Sequence, residues 1–146
     1  MALAVLASVA CWATPSAGES AAQSYFPPSG LAEFLMHSLD LSTLRSSLGP
    51  RRSISQRTFA TLGIAPTQIG PDDVVMESDE WYYALLVLRR ADINGDGLED
   101  LEVCFTDRAK GGTYSARQSL LVTRYSPSAY AVALKYEVFG CEDPSR

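Results

Sequence analysis

From Asp92 to Asp100 the chain reads Asp-Ile-Asn-Gly-Asp-Gly-Leu-Glu-Asp, which puts oxygen-bearing side chains at positions 1, 3, 5 and 9 of a loop and glycine at position 6. Calcium is a hard cation that takes about six to eight oxygen ligands at roughly 2.3–2.6 Å, and this spacing folds such oxygens around one centre. Gly97 permits the sharp turn, and the carbonyl of Leu98 stands where a position-7 ligand is needed. Position 12, where an EF-hand carries a bidentate glutamate, is Val103, and the flanking residues alternate like strands rather than helices. An EF-hand is therefore excluded.

The segment DINGDGLEDL, residues 92–101, resembles the calcium loop of FG-GAP and VCBS-type repeats, D-x-[D/N]-G-D-G-x-x-D-[L/I/V], which joins two antiparallel strands. The resemblance implies calcium as the bound ion and Asp92, Asn94, Asp96, Leu98 through its carbonyl, and Asp100 as the ligands. Those families repeat the loop around a propeller, whereas it occurs once here, so only the loop chemistry is carried over. A metal-free alternative stays open, because Asn-Gly and Asp-Gly are also the preferred dipeptides of tight hairpin turns. A turn alone does not call for Asp92 and Asp100 outside it, where converging carboxylates repel one another without a cation.

Other residues offer different chemistry. Glu77, Asp79 and Glu80 beside Trp81, Tyr82 and Tyr83 combine acids with aromatic surfaces, the ingredients of a small glycoside hydrolase or of a solvated strand entrance. Cys104 with His37 is a conceivable nucleophile and base, but His37 sits at helical spacing among Phe34, Leu35 and Leu39 and reads as a partly buried structural residue. The chain has neither a Gly-x-Ser-x-Gly elbow nor a phosphate-cradling glycine loop.

The elements that must hold the loop are legible in outline. Leu31, Phe34, Leu35 and Leu39, then Leu41, Leu44 and Leu48, recur at helical intervals up to Gly49-Pro50, which predicts one bent helix or two short ones. A further helical patch is expected over Ile54–Leu62, ended by Gly63. After Asp72-Asp73 the period becomes that of strands. Trp81–Leu88 is apolar on both faces, Leu101, Val103 and Phe105 alternate, Leu120 and Val122 follow, and Tyr130, Val132, Leu134, Tyr136 and Val138 share a face. Turn-forming residues separate them at Asn94–Gly97, Lys110–Gly112 and Ser126–Ser128. The expected fold is α+β, with N-terminal short helices on one face of an antiparallel β-meander of about four or more strands.

Residues 2–13 are apolar and uncharged and precede small residues ending at Gly18, which reads as an export signal over residues 1–18. The apolar run is shorter than the about 20 residues that span a bilayer, so no transmembrane segment is expected after its removal. Residues 19–30 read as a flexible leader and residues 31–146 as one domain. With the signal removed, Cys104 and Cys141 remain as an even pair in an oxidising compartment, so a disulfide is expected between them. Cys11 is a candidate lipid anchor of a structural envelope lipoprotein.

The 146 residues carry 17 acids against 12 Lys and Arg, a net charge of −5, which disfavours nucleic acid as a partner. A single His and the lack of any Cys-x-x-Cys exclude the common zinc sites. Basic residues Arg45, Arg51, Arg52 and Arg57 lie in a stretch without acids, and Asp72–Glu102 is acid-rich. The expectation is a periplasmic or secreted, calcium-binding module that binds an envelope protein rather than catalysing, as a hydrolase inhibitor or immunity-type protein does. The rivals are a small envelope hydrolase using residues 77–80 or the calcium site, and the lipoprotein.

Overall fold

A computed structural model describes residues 21–45 and 53–141. The expected signal segment, Cys11, Arg51 and Arg52 lie outside the described residues. Six strands follow one another as β1 (Pro66–Ile69), β2 (Asp73–Glu77), β3 (Trp81–Ala91), β4 (Asp100–Ala109), β5 (Ser115–Thr123) and β6 (Val132–Leu134). Each is antiparallel to its chain neighbour, in the order β1-β2-β3-β4-β5-β6. The meander and its turn positions agree with the sequence pattern. The α+β expectation does not hold, because the described residues are nearly all β, with one α-helix, α1 (Leu31–Ser38), and a single 3-10 turn over Leu41–Thr43.

The reasons for the difference are local competitions that helical spacing does not reveal. Leu39 is extended (φ −71°, ψ 121°) and pairs with Ala131, while the Ala131 N–H donates to Ser38 O at 2.9 Å. That pairing ends α1 and lets Leu39 and Leu41 bury themselves without a helix. The Asp40 carboxylate then accepts the Ser42 N–H at 2.9 Å, which starts the 3-10 turn. Burial favours the neutral form of Asp40, but hydrogen bonds from Arg57 and Ser42 outweigh it and hold the carboxyl below its ordinary value.

The stretch Ile54–Leu62 is turn, not helix. Ser53 bridges to Gln56, and Thr58 and Thr61 bond each other's main chain and hydroxyls, the side-chain competition that disfavours helices at such residues. Ile54 is 98% exposed, whereas Phe59 is fully buried against Tyr83 and Phe105. Gly63 keeps the left-handed role expected of it, with φ 75°.

Register sorts the sheet's faces. Val74 faces Leu85, Leu85 faces Phe105, and Val103 lies between Val87 and Leu120, so these residues share one side. That side, with Val122, Leu31, Leu35, Met36 and Phe59, forms the core, and α1 packs there against β2 and β3. The opposite side of β3 carries Leu86 and Leu88, both more than a third exposed, so β3 is not buried on both faces as its composition implied. Further along that opposite side Cys104 and Leu121 are buried. There Gly140 donates its N–H to Glu102 Oε1 at 3.0 Å, Cys141 donates to Ser119 Oγ at 2.8 Å, and the Cys104–Cys141 disulfide fastens the segment. The expected long strand Tyr130–Val138 shrinks to Val132–Leu134, with Tyr130 and Tyr136 exposed.

Candidate metal loop and its N-terminal strap

The loop between β3 and β4 is built by its own carboxylates. Asp92 Oδ1 accepts the N–H groups of Gly95 (2.7 Å) and Asp96 (3.0 Å), and Asp92 Oδ2 accepts that of Gly97 (2.9 Å). Asn94 Oδ1 accepts from Asp96 N, Asp96 Oδ1 accepts from Leu98 N, and the Asn94 amide donates to Asp96 Oδ2 at 3.1 Å. Gly95 and Gly97 have φ of 78° and 85°, which side-chain-bearing residues adopt only under strain. The residues singled out by sequence are thus gathered in one turn.

Asp100 differs from the rest. It opens β4 with no exposed surface, and its Oδ2 accepts the N–H groups of Ile93 (3.1 Å) and Asn94 (3.3 Å), so the carboxyl is turned toward the loop. Its Oδ1 is buried with no hydrogen-bond partner. A buried carboxylate oxygen without a donor is costly, and a cation or a donor from outside the chain would relieve it. Among the described residues no group of three or more His, Cys, Asp or Glu could hold a metal ion, so Asp92, Asp96 and Asp100 do not form such a group. Any cation here must draw on the Asn94 amide oxygen and a main-chain carbonyl as well.

The residues expected to form a flexible leader bear on this loop directly. Gln23 forms a parallel bridge with Leu98, its N–H donating to Gly97 O and its carbonyl accepting from Glu99 N, both at 2.9 Å. Because successive peptide groups of an extended chain point to opposite sides, Leu98 turns its own N–H and C=O away from Gln23. Its N–H reaches Asp96 Oδ1, so the Leu98 carbonyl belongs to the loop side. Ser24 Oγ donates to Glu99 at 2.5 Å, Phe26 is buried edge-on against Phe34, and Arg90 reaches the carbonyls of Pro27 and Pro28 at 3.3 Å. Arg124 donates to Tyr25 O at 2.6 Å. Composition marked this stretch only as polar and proline-rich, and the one apolar signal it held was Phe26.

The aromatic residues of the alternative catalytic cluster are divided between the two faces of the sheet. Trp81 and Tyr83 stack on the core side, Tyr82 lies on the opposite face under Arg108, and Glu77 is paired with Lys110 at 2.6 Å. Burial pushes the Tyr83 phenol up to about 12, so it stays neutral. His37 is exposed rather than partly buried, and Cys104 is consumed by the disulfide. Of the basic residues, Arg57 pairs with Asp40 and lies over the Tyr130 ring, while Arg45 is exposed. Comparison with protein-family models, with curated proteins and with solved structures finds no match to this chain.

Proposed function

We propose that this chain is an exported binding module of the cell envelope whose β3–β4 loop takes calcium as a structural ion, and that it acts by recognising another protein. The observation that supports the metal assignment is the buried Asp100 Oδ1, which has no hydrogen-bond partner. Asp92, Asn94, Asp96 and Asp100 would hold the ion through their side chains and Leu98 through its carbonyl. Calcium would neutralise carboxylates that otherwise repel at the hairpin setting the register of β3 and β4. Without a position-12 glutamate, affinity falls in the range of about 10⁻⁴ to 10⁻³ M, suited to extracellular calcium. The export reading draws support from the disulfide, and among the described residues no helix is long and apolar enough to cross a membrane.

Calorimetric titration of the purified protein with calcium tests the metal assignment. Binding of one ion that Asp100→Asn abolishes supports it, and absence of heat up to several times the expected dissociation constant rejects it. Co-purification of a stoichiometric protein from envelope extract tests the binding role. Hydrolytic turnover lost on Glu77→Gln or Asp79→Asn would replace that role with catalysis.

A further inference from the structure

The sheet ends differently at its two sides. At one side β1 presents only Pro66–Ile69, opened by a proline and broken by a bulge between Pro66 and Gln68, and both features blunt an edge. At the other side β6 pairs only with Leu121–Thr123, while β5 keeps an unbroken register with β4 from Ser115 to Val122. Residues Ser115–Leu120 therefore have β4 on one side and, among the described residues, no strand on the other. The Ala109 N–H donates to Tyr114 O at 3.0 Å, which fixes the alternation along β5. Ala116 and Gln118 turn their main-chain groups toward β4, and Ser115, Arg117 and Ser119 turn theirs outward. Beyond Leu134 the chain leaves the sheet, and a cleft of about 260 Å³ opens between Gln118–Leu120 and Lys135–Phe139. Among the described residues no main-chain hydrogen bond from that departing segment reaches Ser115, Arg117 or Ser119.

The side chains around this open edge are basic, in a chain whose net charge is −5. Arg117 is exposed, with Nε 3.0 Å from Cys104 Sγ, and Arg45 and Lys135 stand exposed at the cleft. None of the three has a carboxylate partner among the described residues, and Glu137 is the one acid lining the cleft. We propose that the outer edge of β5, Ser115–Ser119, is the surface through which this chain recognises another protein, by pairing with an extended acidic segment of it. This rests on the protein-binding reading above and not on the calcium assignment. The added strand takes the outward N–H and C=O groups of Ser115, Arg117 and Ser119, and its acids meet Arg117 along the edge and Arg45 and Lys135 at the cleft. A second copy of this chain fits less well, because two β5 edges joined antiparallel about Arg117 set like charges opposite each other.

NMR of the purified protein with a capped peptide of about seven residues, Thr-Glu-Val-Glu-Val-Glu-Thr, tests this, with the Lys-for-Glu peptide as control. With the acidic peptide at about ten times its dissociation constant, hydrogen exchange of the Ser115, Arg117 and Ser119 amides should slow about tenfold. The Ala116 and Gln118 amides, already bonded to β4, should change little, and the Lys peptide should leave all five unaffected. Arg117→Glu should weaken the acidic peptide about tenfold or more. Ser115→Pro, which removes an outward N–H and no ladder bond to β4, should weaken it in the same direction. If one variant fails to fold, the other decides. No slowing at up to about 1 mM peptide, or equal binding of the two peptides, overturns the proposal. A dimer in solution that Ser115→Pro dissociates gives the edge to a second copy and overturns the partner assignment. A protein co-purified from envelope extract that binds both variants as it binds wild type overturns the edge and leaves the protein-binding reading standing. Peptide pairing with no co-purified protein rejects that reading and supports the edge alone.

Discussion

Glu99 receives Arg90 through both of its oxygens, from Nε at 2.9 Å and from Nη2 at 2.6 Å, a forked pair that spans the base of the β3–β4 hairpin. The guanidinium beside it, chiefly, and the Ser24 hydroxyl hold the Glu99 carboxyl below its ordinary value of 4.5. A carboxyl with a depressed folded value stabilises fully above its unfolded value and loses that contribution as pH falls through the folded one. Acidification below about 4.5 should therefore loosen the strap, with the Gln23 and Phe26 amide shifts moving in step with the Glu99 carboxyl in an NMR titration. Glu99→Gln should remove that step and cost about 1 kcal/mol at neutral pH, because both partners are partly in solvent. Strap shifts that ignore Glu99's titration would contradict the linkage.

Cys104 and Cys141 are 37 residues apart in sequence with Cα atoms at 5.3 Å. Closing such a loop is worth about 4 kcal/mol in the chain-entropy account, so reduction should lower stability by up to that amount in urea unfolding. Freshly purified protein should show no free Cys104 or Cys141 thiol in denaturant. Cys141→Ser should free the Gly140 end from Glu102 and expose Leu121, increasing binding of a hydrophobic dye.

Calcium in the millimolar range over a dissociation constant of about 10⁻⁴ M should add roughly 1–1.5 kcal/mol to stability. The melting temperature should rise by a few degrees in a domain of this size. Asp96→Ala should erase the calcium-dependent part, and magnesium should substitute poorly because it demands tight octahedral geometry. Coincident melting curves in chelator and in calcium would reduce the loop to a hydrogen-bonded turn.

The turn that replaces the expected second helix makes its own prediction. Phe59→Ala removes a fully buried ring packed on Tyr83 and Phe105 and should cost about 3–5 kcal/mol. Ile54→Ala, at a side chain 98% exposed, should stay within about 0.5 kcal/mol of wild type. Comparable losses in denaturant unfolding would mean that Ile54 packs in solution and that the stretch is helical after all.

What the amino-acid order determined by itself is what neighbouring residues decide. Period-two alternation set Leu101, Val103 and Phe105 on one face, and Gly95 and Gly97 marked the turn because a positive φ is a demand of the backbone at that residue. With strands in succession and short turns between them, a meander followed. Cys104 and Cys141, the even pair that the expected export signal would leave, made their pairing readable without any geometry. Tertiary structure decided wherever a local preference had a distant competitor. Leu39 and Leu41 carry helical spacing, yet pairing of Leu39 with Ala131 satisfies the main chain in an extended form and buries the same side chains. The short strands β1, at the sheet edge, and β2 beside it are stabilised by their neighbours rather than by their own pattern, and Pro66 and Asp73 hid them. Docking of Ser24 on Glu99 joins residues 75 positions apart, and nothing in a polar, proline-rich stretch announces which distant donors and carbonyls will be left for it to meet. Hydrogen-bond partners of that kind exist only once the sheet has formed, so they could be read only from the folded chain.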